Sequence, residues 1–145
     1  FLSKTVGDFI LLRSGGMPIP AGDPNVHHSF EVPAGVLATL FGDAAQVAPG
    51  EPWVIHNGFL HMHYLATTGR TTLIRADGTE QVILDIRDWD FNWQSLYLYE
   101  EPIQTQNGDT ITLTCTYDTT SRTEVTDWGE GTEDEMCVLF VYVSY

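Results

Sequence analysis

Residues 71–86 read TTLIRADGTEQVILDI. Two β-rich runs, 71–76 and 79–86, flank Asp77-Gly78, a dipeptide suited to the positive backbone torsions of a tight hairpin turn. The stretch therefore predicts two antiparallel strands. Working outward, similar runs recur at about 34–41, 53–66, 95–99, 110–117 and 137–145. Pro49-Gly50 and Asn107-Gly108-Asp109 punctuate them. The runs are rich in threonine, which suits half-exposed strands, and helical periodicity is nearly absent. Many short strands at regular spacing predict an all-β fold, an antiparallel, jelly-roll-like β-sandwich.

Length and composition set the frame. The chain has 145 residues, which suits one domain, and 43% of them are hydrophobic, enough to fill a core. Six basic and twenty acidic residues leave a net charge of −14. Such a surface repels the phosphates of nucleic acid and of anionic membranes, so neither is an expected partner. No apolar run is long enough to span a bilayer. There is no internal repeat.

The N-terminal region reads differently from the rest. Residues 1–12 fit either a short helical face (Val6, Phe9, Ile10) or a buried strand (Phe9 to Leu12). Residues 14–25 carry Gly15, Gly16, Pro18, Pro20, Gly22 and Pro24 and predict a loop. We therefore divide the chain into an extension or linker, 1–29, and a sandwich domain, 30–145. The chain starts at Phe1 rather than Met, an expectation that a signal peptide, pro-segment or larger upstream region precedes it.

The chemistry-bearing residues are few. The two cysteines, Cys115 and Cys137, suit one disulfide and an oxidising, extracellular or periplasmic compartment; two unpaired core thiols are the alternative. His61-Met62-His63 falls in the run 53–66. Alternation along a strand puts His61 and His63 on one face and Met62 on the other. Two imidazoles suit copper, zinc, nickel or iron, and a thioether third ligand would favour Cu(I). By itself this spacing also fits two half-buried neighbours. Met136 adjoins Cys137 and an apolar run, where core filling explains it equally well. The adjacent pair His27-His28 lies in the Pro/Gly-rich segment and reads as an exposed pair in a loop rather than as a second metal site.

Taken together, several segments carry a resemblance. They are Ala34-Gly35-Val36-Leu37, His56 followed by His61-Met62-His63, Asp90-Phe91-Asn92-Trp93-Gln94, Pro102, Gly108-Asp109, Cys115-Thr116-Tyr117 and Gly131-Thr132 through Asp134-Glu135-Met136-Cys137. In order and spacing the chain from about Pro33 to Tyr145 resembles the C-terminal domain of the copper type II, ascorbate-dependent monooxygenases, such as the peptidylglycine and dopamine β-monooxygenases. The resemblance implies one copper per chain held by His61, His63 and Met136, with His56 nearby as supporting shell. It implies a Cys115–Cys137 disulfide and ascorbate as possible reductant. Two neutral imidazoles and a thioether leave the site uncharged, which tolerates Cu(I).

The sequence also departs from that family. The full enzymes carry a second copper domain on three histidines, and this chain has only five histidines in all, at 27, 28, 56, 61 and 63. Phe59, Val138 and Phe140 stand where the peptidylglycine enzyme has an arginine, an asparagine and a tyrosine. A carboxylate buried without those donors would be costly, so an apolar pocket is expected here. Two readings follow. One is the catalytic-copper half of an O2-dependent C–H hydroxylase, paired with a second copper domain. The other is a structural module of an extracellular complex or filament, with copper stabilising or vestigial, assembling through residues 1–29 as a homo-oligomer.

Overall fold

In the computed structural model, the residues described are 8–13, 16, 18–36 and 52–144, with 8–13 described as backbone only. They form two four-stranded antiparallel sheets. The strands, in chain order, are β1 (Asp8–Arg13), β2 (Val26–Pro33), β3 (Val54–His61), β4 (Ala66–Ile74), β5 (Glu80–Ile86), β6 (Tyr97–Gln104), β7 (Thr110–Tyr117) and β8 (Val138–Ser144). One sheet runs β1-β8-β3-β6 and the other β2-β7-β4-β5. The fold is the expected β-sandwich.

Strand chemistry explains the two layers. In β7, Ile111, Leu113 and Cys115 point inward and are buried, while Thr110, Thr112 and Thr114 alternate outward. The outward threonines continue across neighbouring strands: Thr112 shares a hydrogen bond with Thr72 on β4 (2.7 Å), and Thr114 with Ser29 on β2. In β8, Leu139, Val141 and Val143 face the same interior, completely buried. Trp53, Ile55, Leu60 and Met62 complete the core from the β3 side.

The hairpin that decides the fold is present. β4 and β5 pair antiparallel, Arg75 and Thr79 close the loop (N–H to O, 2.8 Å), and Gly78 takes φ +85°. That positive φ strains any residue with a Cβ, which accounts for the glycine.

Two stretches differ from the sequence expectation. The run 53–66 is not one strand: β3 ends at His61, and a turn carries the chain through His63 to β4 at Ala66. The run expected at 34–41 begins as a helical turn over 34–36, and residues 37–41 lie outside the described ones. Strands also form earlier than drawn. Phe9 to Leu12 lies in β1, whose backbone pairs with β8 of the same chain, and β2 starts at Val26, ahead of the 29/30 boundary.

Candidate metal centre

Sequence spacing brings His61 and His63 together as expected, although only the first is in a strand. Their rings meet edge to face with centroids 5.2 Å apart. His61 closes β3 opposite Val138 of β8. Met62 points the other way, fully buried, with its thioether against Gly69; a Cβ there would lie 2.9 Å from the Met62 methyl.

Hydrogen bonds fix how the two rings present themselves. The Nδ1–H of His63 donates to the carbonyl of Asp134 (2.8 Å), an oxygen that can only accept. His61 Nδ1 lies 2.8 Å from Oε1 of Gln94, and the Gln94 amide N–H donates to the Phe91 carbonyl (2.8 Å). That second bond orients the amide, so His61 Nδ1 carries the hydrogen. In the neutral form of both rings the lone pair is therefore on Nε2, the form in which imidazole binds a metal.

His63 is held at every other polar atom. Its N–H donates to Oε2 of Glu135 (2.9 Å), and its carbonyl accepts the indole N–H of Trp89 (3.0 Å). Glu135 is completely buried. Its other oxygen accepts the N–H of Leu65 (2.6 Å), and Oε2 also accepts the N–H of Met136 (3.2 Å). Burial pushes the Glu135 carboxyl up from its ordinary range, and the N–H groups of His63, Leu65 and Met136 pull against that shift.

Met136 follows directly and is half-buried. Its carbonyl accepts the hydroxyl of Tyr117 (2.8 Å). Desolvation, and then the Glu135 charge, push the Tyr117 hydroxyl well up, so it stays a donor. Cys137 is disulfide-bonded to Cys115 on β7, with Cα atoms 5.9 Å apart, and the described residues include no free cysteine. The segment 134–137 is thus tied to His63 by hydrogen bonds and to β7 by a covalent bond.

Other expected residues fall elsewhere. His56 occupies the bulge between Ile55 and Asn57 on β3, shares a hydrogen bond with Ser144 Oγ (2.7 Å) and packs on Tyr142. It stands five residues from His61, roughly 15 Å along the strand, so the structure does not bring it beside the two rings. Phe59 and Phe140 pair across β3 and β8 with rings 5.7 Å apart, and Phe59 stacks near His61 at 6.4 Å. Val138 is buried opposite His61. These three lie on the same outer face as His61. A separate cleft of about 140 Å³ opens at His63, lined by Tyr64, Phe91, Glu130 and Thr132. A larger cleft of about 400 Å³, lined by residues 121–127, Glu133 and Asp134, contains no histidine.

Among the described residues, no group of three or more His, Cys, Asp or Glu side chains gathers as a metal site. Any further described donor at His61 and His63 is therefore not a His, Cys, Asp or Glu side chain. The Nδ1-protonated rings fit a soft or borderline metal such as copper. Glu135, Gln94 and Trp89 escaped the sequence reading because their partners lie 72, 33 and 26 residues away.

The site is thus an antiparallel sandwich with two imidazoles meeting at the end of β3, beside a segment that carries Met136 and is anchored by the disulfide. The chain belongs to the copper type II ascorbate-dependent monooxygenase family: the profile of that family's C-terminal domain matches residues 46–145. Tyramine beta-hydroxylase of Caenorhabditis briggsae is 43% identical over 129 residues, covering 73% of this chain and 22% of that protein. Dopamine beta-hydroxylase of Canis lupus familiaris is 34% identical over 84 residues, covering 57% and 13%. DBH-like monooxygenase protein 1 of Gallus gallus is 34% identical over 83 residues, again 57% and 13%. The chain thus spans between an eighth and a quarter of the length of these relatives.

Proposed function

We propose that this chain is an extracellular copper-binding domain that serves O2-dependent C–H hydroxylation, with His61, His63 and Met136 holding one copper. The observation that carries the reading is the pair of rings 5.2 Å apart, each with Nδ1–H already donated and Nε2 left available. Membership of the copper- and ascorbate-dependent family supports the choice of metal. When bound, copper supplies one-electron chemistry toward O2 beside a C–H bond.

The residues of the chain do the rest. Gln94 and the Asp134 carbonyl hold the tautomers of the two rings. Glu135 and Tyr117 hold the Met136 peptide from both sides. Phe59 and Phe140 form an apolar face beside His61, and the cleft of Tyr64 and Phe91 opens at His63. Among the described residues neither surface supplies a cation for a substrate carboxylate, so we place peptidylglycine outside the substrate range. The relatives named for tyramine and dopamine make an aromatic amine the first substrate class to assay. The disulfide supports an oxidising, extracellular setting.

Hydroxylation with O2 consumes two electrons, and one copper site stores one. The other must come from a partner copper domain, from ascorbate directly, or not at all. The chain by itself is therefore a poor hydroxylase. The test supplies copper-loaded chain with ascorbate, O2 and a panel of aromatic amines and apolar C–H compounds, and compares hydroxylated product with hydrogen peroxide. Ascorbate oxidation with peroxide in excess of product is expected, both lost in His63→Ala. Coupled hydroxylation over many turnovers would show that one site suffices. Ascorbate oxidation that persists unchanged in His63→Ala would place the redox chemistry elsewhere.

A further inference from the structure

Glu135 poses a physical question. It is a completely buried carboxylate, and it makes no ion pair with any described residue. Burying such a group costs free energy unless hydrogen bonds replace its water. Three backbone N–H groups do so here, and they come from two separate parts of the chain: His63 and Leu65 in the turn after β3, and Met136 in the approach to β8. The turn after β3 is out of the β ladder, so its N–H groups need partners from elsewhere.

The geometry explains why a carboxylate stands there. Only an acceptor at both oxygens satisfies donors on both sides, since Oε1 takes Leu65 while Oε2 takes His63 and Met136 together. A glutamine has the same shape but turns one end into a donor, which would face an N–H. Oε2 is the shared point: the backbone amides of His63 and Met136 converge on a single atom.

We propose that Glu135 is a positioning residue that sets the separation between the His63 imidazole and the Met136 thioether by bridging their backbone amides. The proposal rests on the reading of His61, His63 and Met136 as the copper site. It assigns the soft ligand's reach to a buried acceptor, so the preference for Cu(I) over Cu(II) depends on Glu135 although Glu135 binds no metal itself.

The test uses the full chain, its Met136→Ala, Glu135→Gln and combined variants, and Cu(I) or Cu(II) as the probe. Cu(I) affinity is read by competition with a chromogenic chelator, and the ligand shell by X-ray absorption. Glu135→Gln is expected to keep two imidazoles, to lose the sulfur contribution, and to weaken Cu(I) about tenfold while changing Cu(II) far less. In the Met136→Ala background it should add nothing further for Cu(I). A Glu135→Gln variant with sulfur retained and Cu(I) affinity within twofold of the parent overturns the proposal. So does a loss that simply adds to that of Met136→Ala. A second measurement needs no variant. In the metal-free parent, the amides of His63 and Met136 should exchange hydrogen slowly and with one common opening free energy; independent exchange overturns the bridge even where Glu135→Gln fails to fold. A parent chain that binds no copper overturns the site reading and the proposal together, whereas failure of the bridge alone leaves the parent's copper and sulfur signals intact.

Discussion

The molecule carries two histidine pairs, and their fates differ by one residue of spacing. His61 closes β3 and His63 follows it two residues on, in the turn, and their rings meet. His27 and His28 are adjacent on β2, so they project to opposite faces of the sheet. His27 Nδ1 shares a hydrogen bond with Thr116 on β7 (3.1 Å), while His28 packs edge-on against Tyr117 at 6.2 Å. Desolvation lowers the His28 pKa, opposed by a hydrogen bond at the Pro18 backbone. The second pair is structural furniture of an edge strand; the first is oriented by groups that leave Nε2 free.

The largest expected effect breaks the comparison outright. Replacing His61 and His63 together by Ala abolishes copper binding at unit stoichiometry, and the same change at His27 and His28 leaves it unaltered. Metal analysis after dialysis reads both. Loss on the His27/His28 side would mean that strand faces do not govern the site.

Removing the disulfide by Cys115→Ala with Cys137→Ala comes next. Loop entropy predicts destabilisation of roughly 3 kcal/mol, read from denaturant midpoints. Copper affinity should fall too, because Met136 loses the anchor one residue away. An unchanged midpoint would show that the hydrogen bonds of the 134–136 segment suffice.

A smaller effect sharpens the role of orientation. Gln94→Ala frees His61 Nδ1 and should weaken copper by about tenfold without moving the fold. An unchanged affinity would show that ring tautomer is set by the metal alone.

The smallest effect lies beside β3 itself, three residues before His61. The hydroxyl of Tyr99 reaches the interior beside Gly58, whose Cβ would sit 2.5 Å from it, and it has no hydrogen-bond partner among the described residues. Tyr99→Phe should therefore be neutral or stabilising by up to about 1 kcal/mol. Burial pushes the Tyr99 pKa up to about 12. Between pH 10 and about 12 the unfolded chain ionises this group while the folded chain does not, so parent stability falls as pH rises through that window. The Phe variant lacks that component, and thermal melts across the window would reveal it. A destabilised Phe variant would point to a partner for the hydroxyl.

How much of this was legible follows the range of the interactions. The hairpin at Asp77-Gly78 and the alternation of β7 are local, and both read correctly from residue order. β2 was hidden because His27 to Glu31 is polar on its outer face and adjoins a Pro/Gly-rich segment. The sequence predicts a strand at 95–99, and β6 spans Tyr97–Gln104, since Glu100, Glu101 and Pro102 disguise an edge strand, the position where proline is tolerated. The H-x-H pair was visible from period-two spacing. The turn that follows it was not, because its stability comes from Glu135 and Trp89 far along the chain. His56 was placed by resemblance, and the bulge it occupies sends it to Ser144 instead.

The central claim is that two imidazoles and one thioether of this chain hold one copper. X-ray absorption at the copper edge of the Cu(I)-loaded chain tests it most directly. The account predicts two nitrogen scatterers with imidazole character and one sulfur, the sulfur lost in Met136→Ala and the imidazoles lost in the His61/His63 double variant. An imidazole shell that survives the double variant, or a parent spectrum without sulfur, would contradict it.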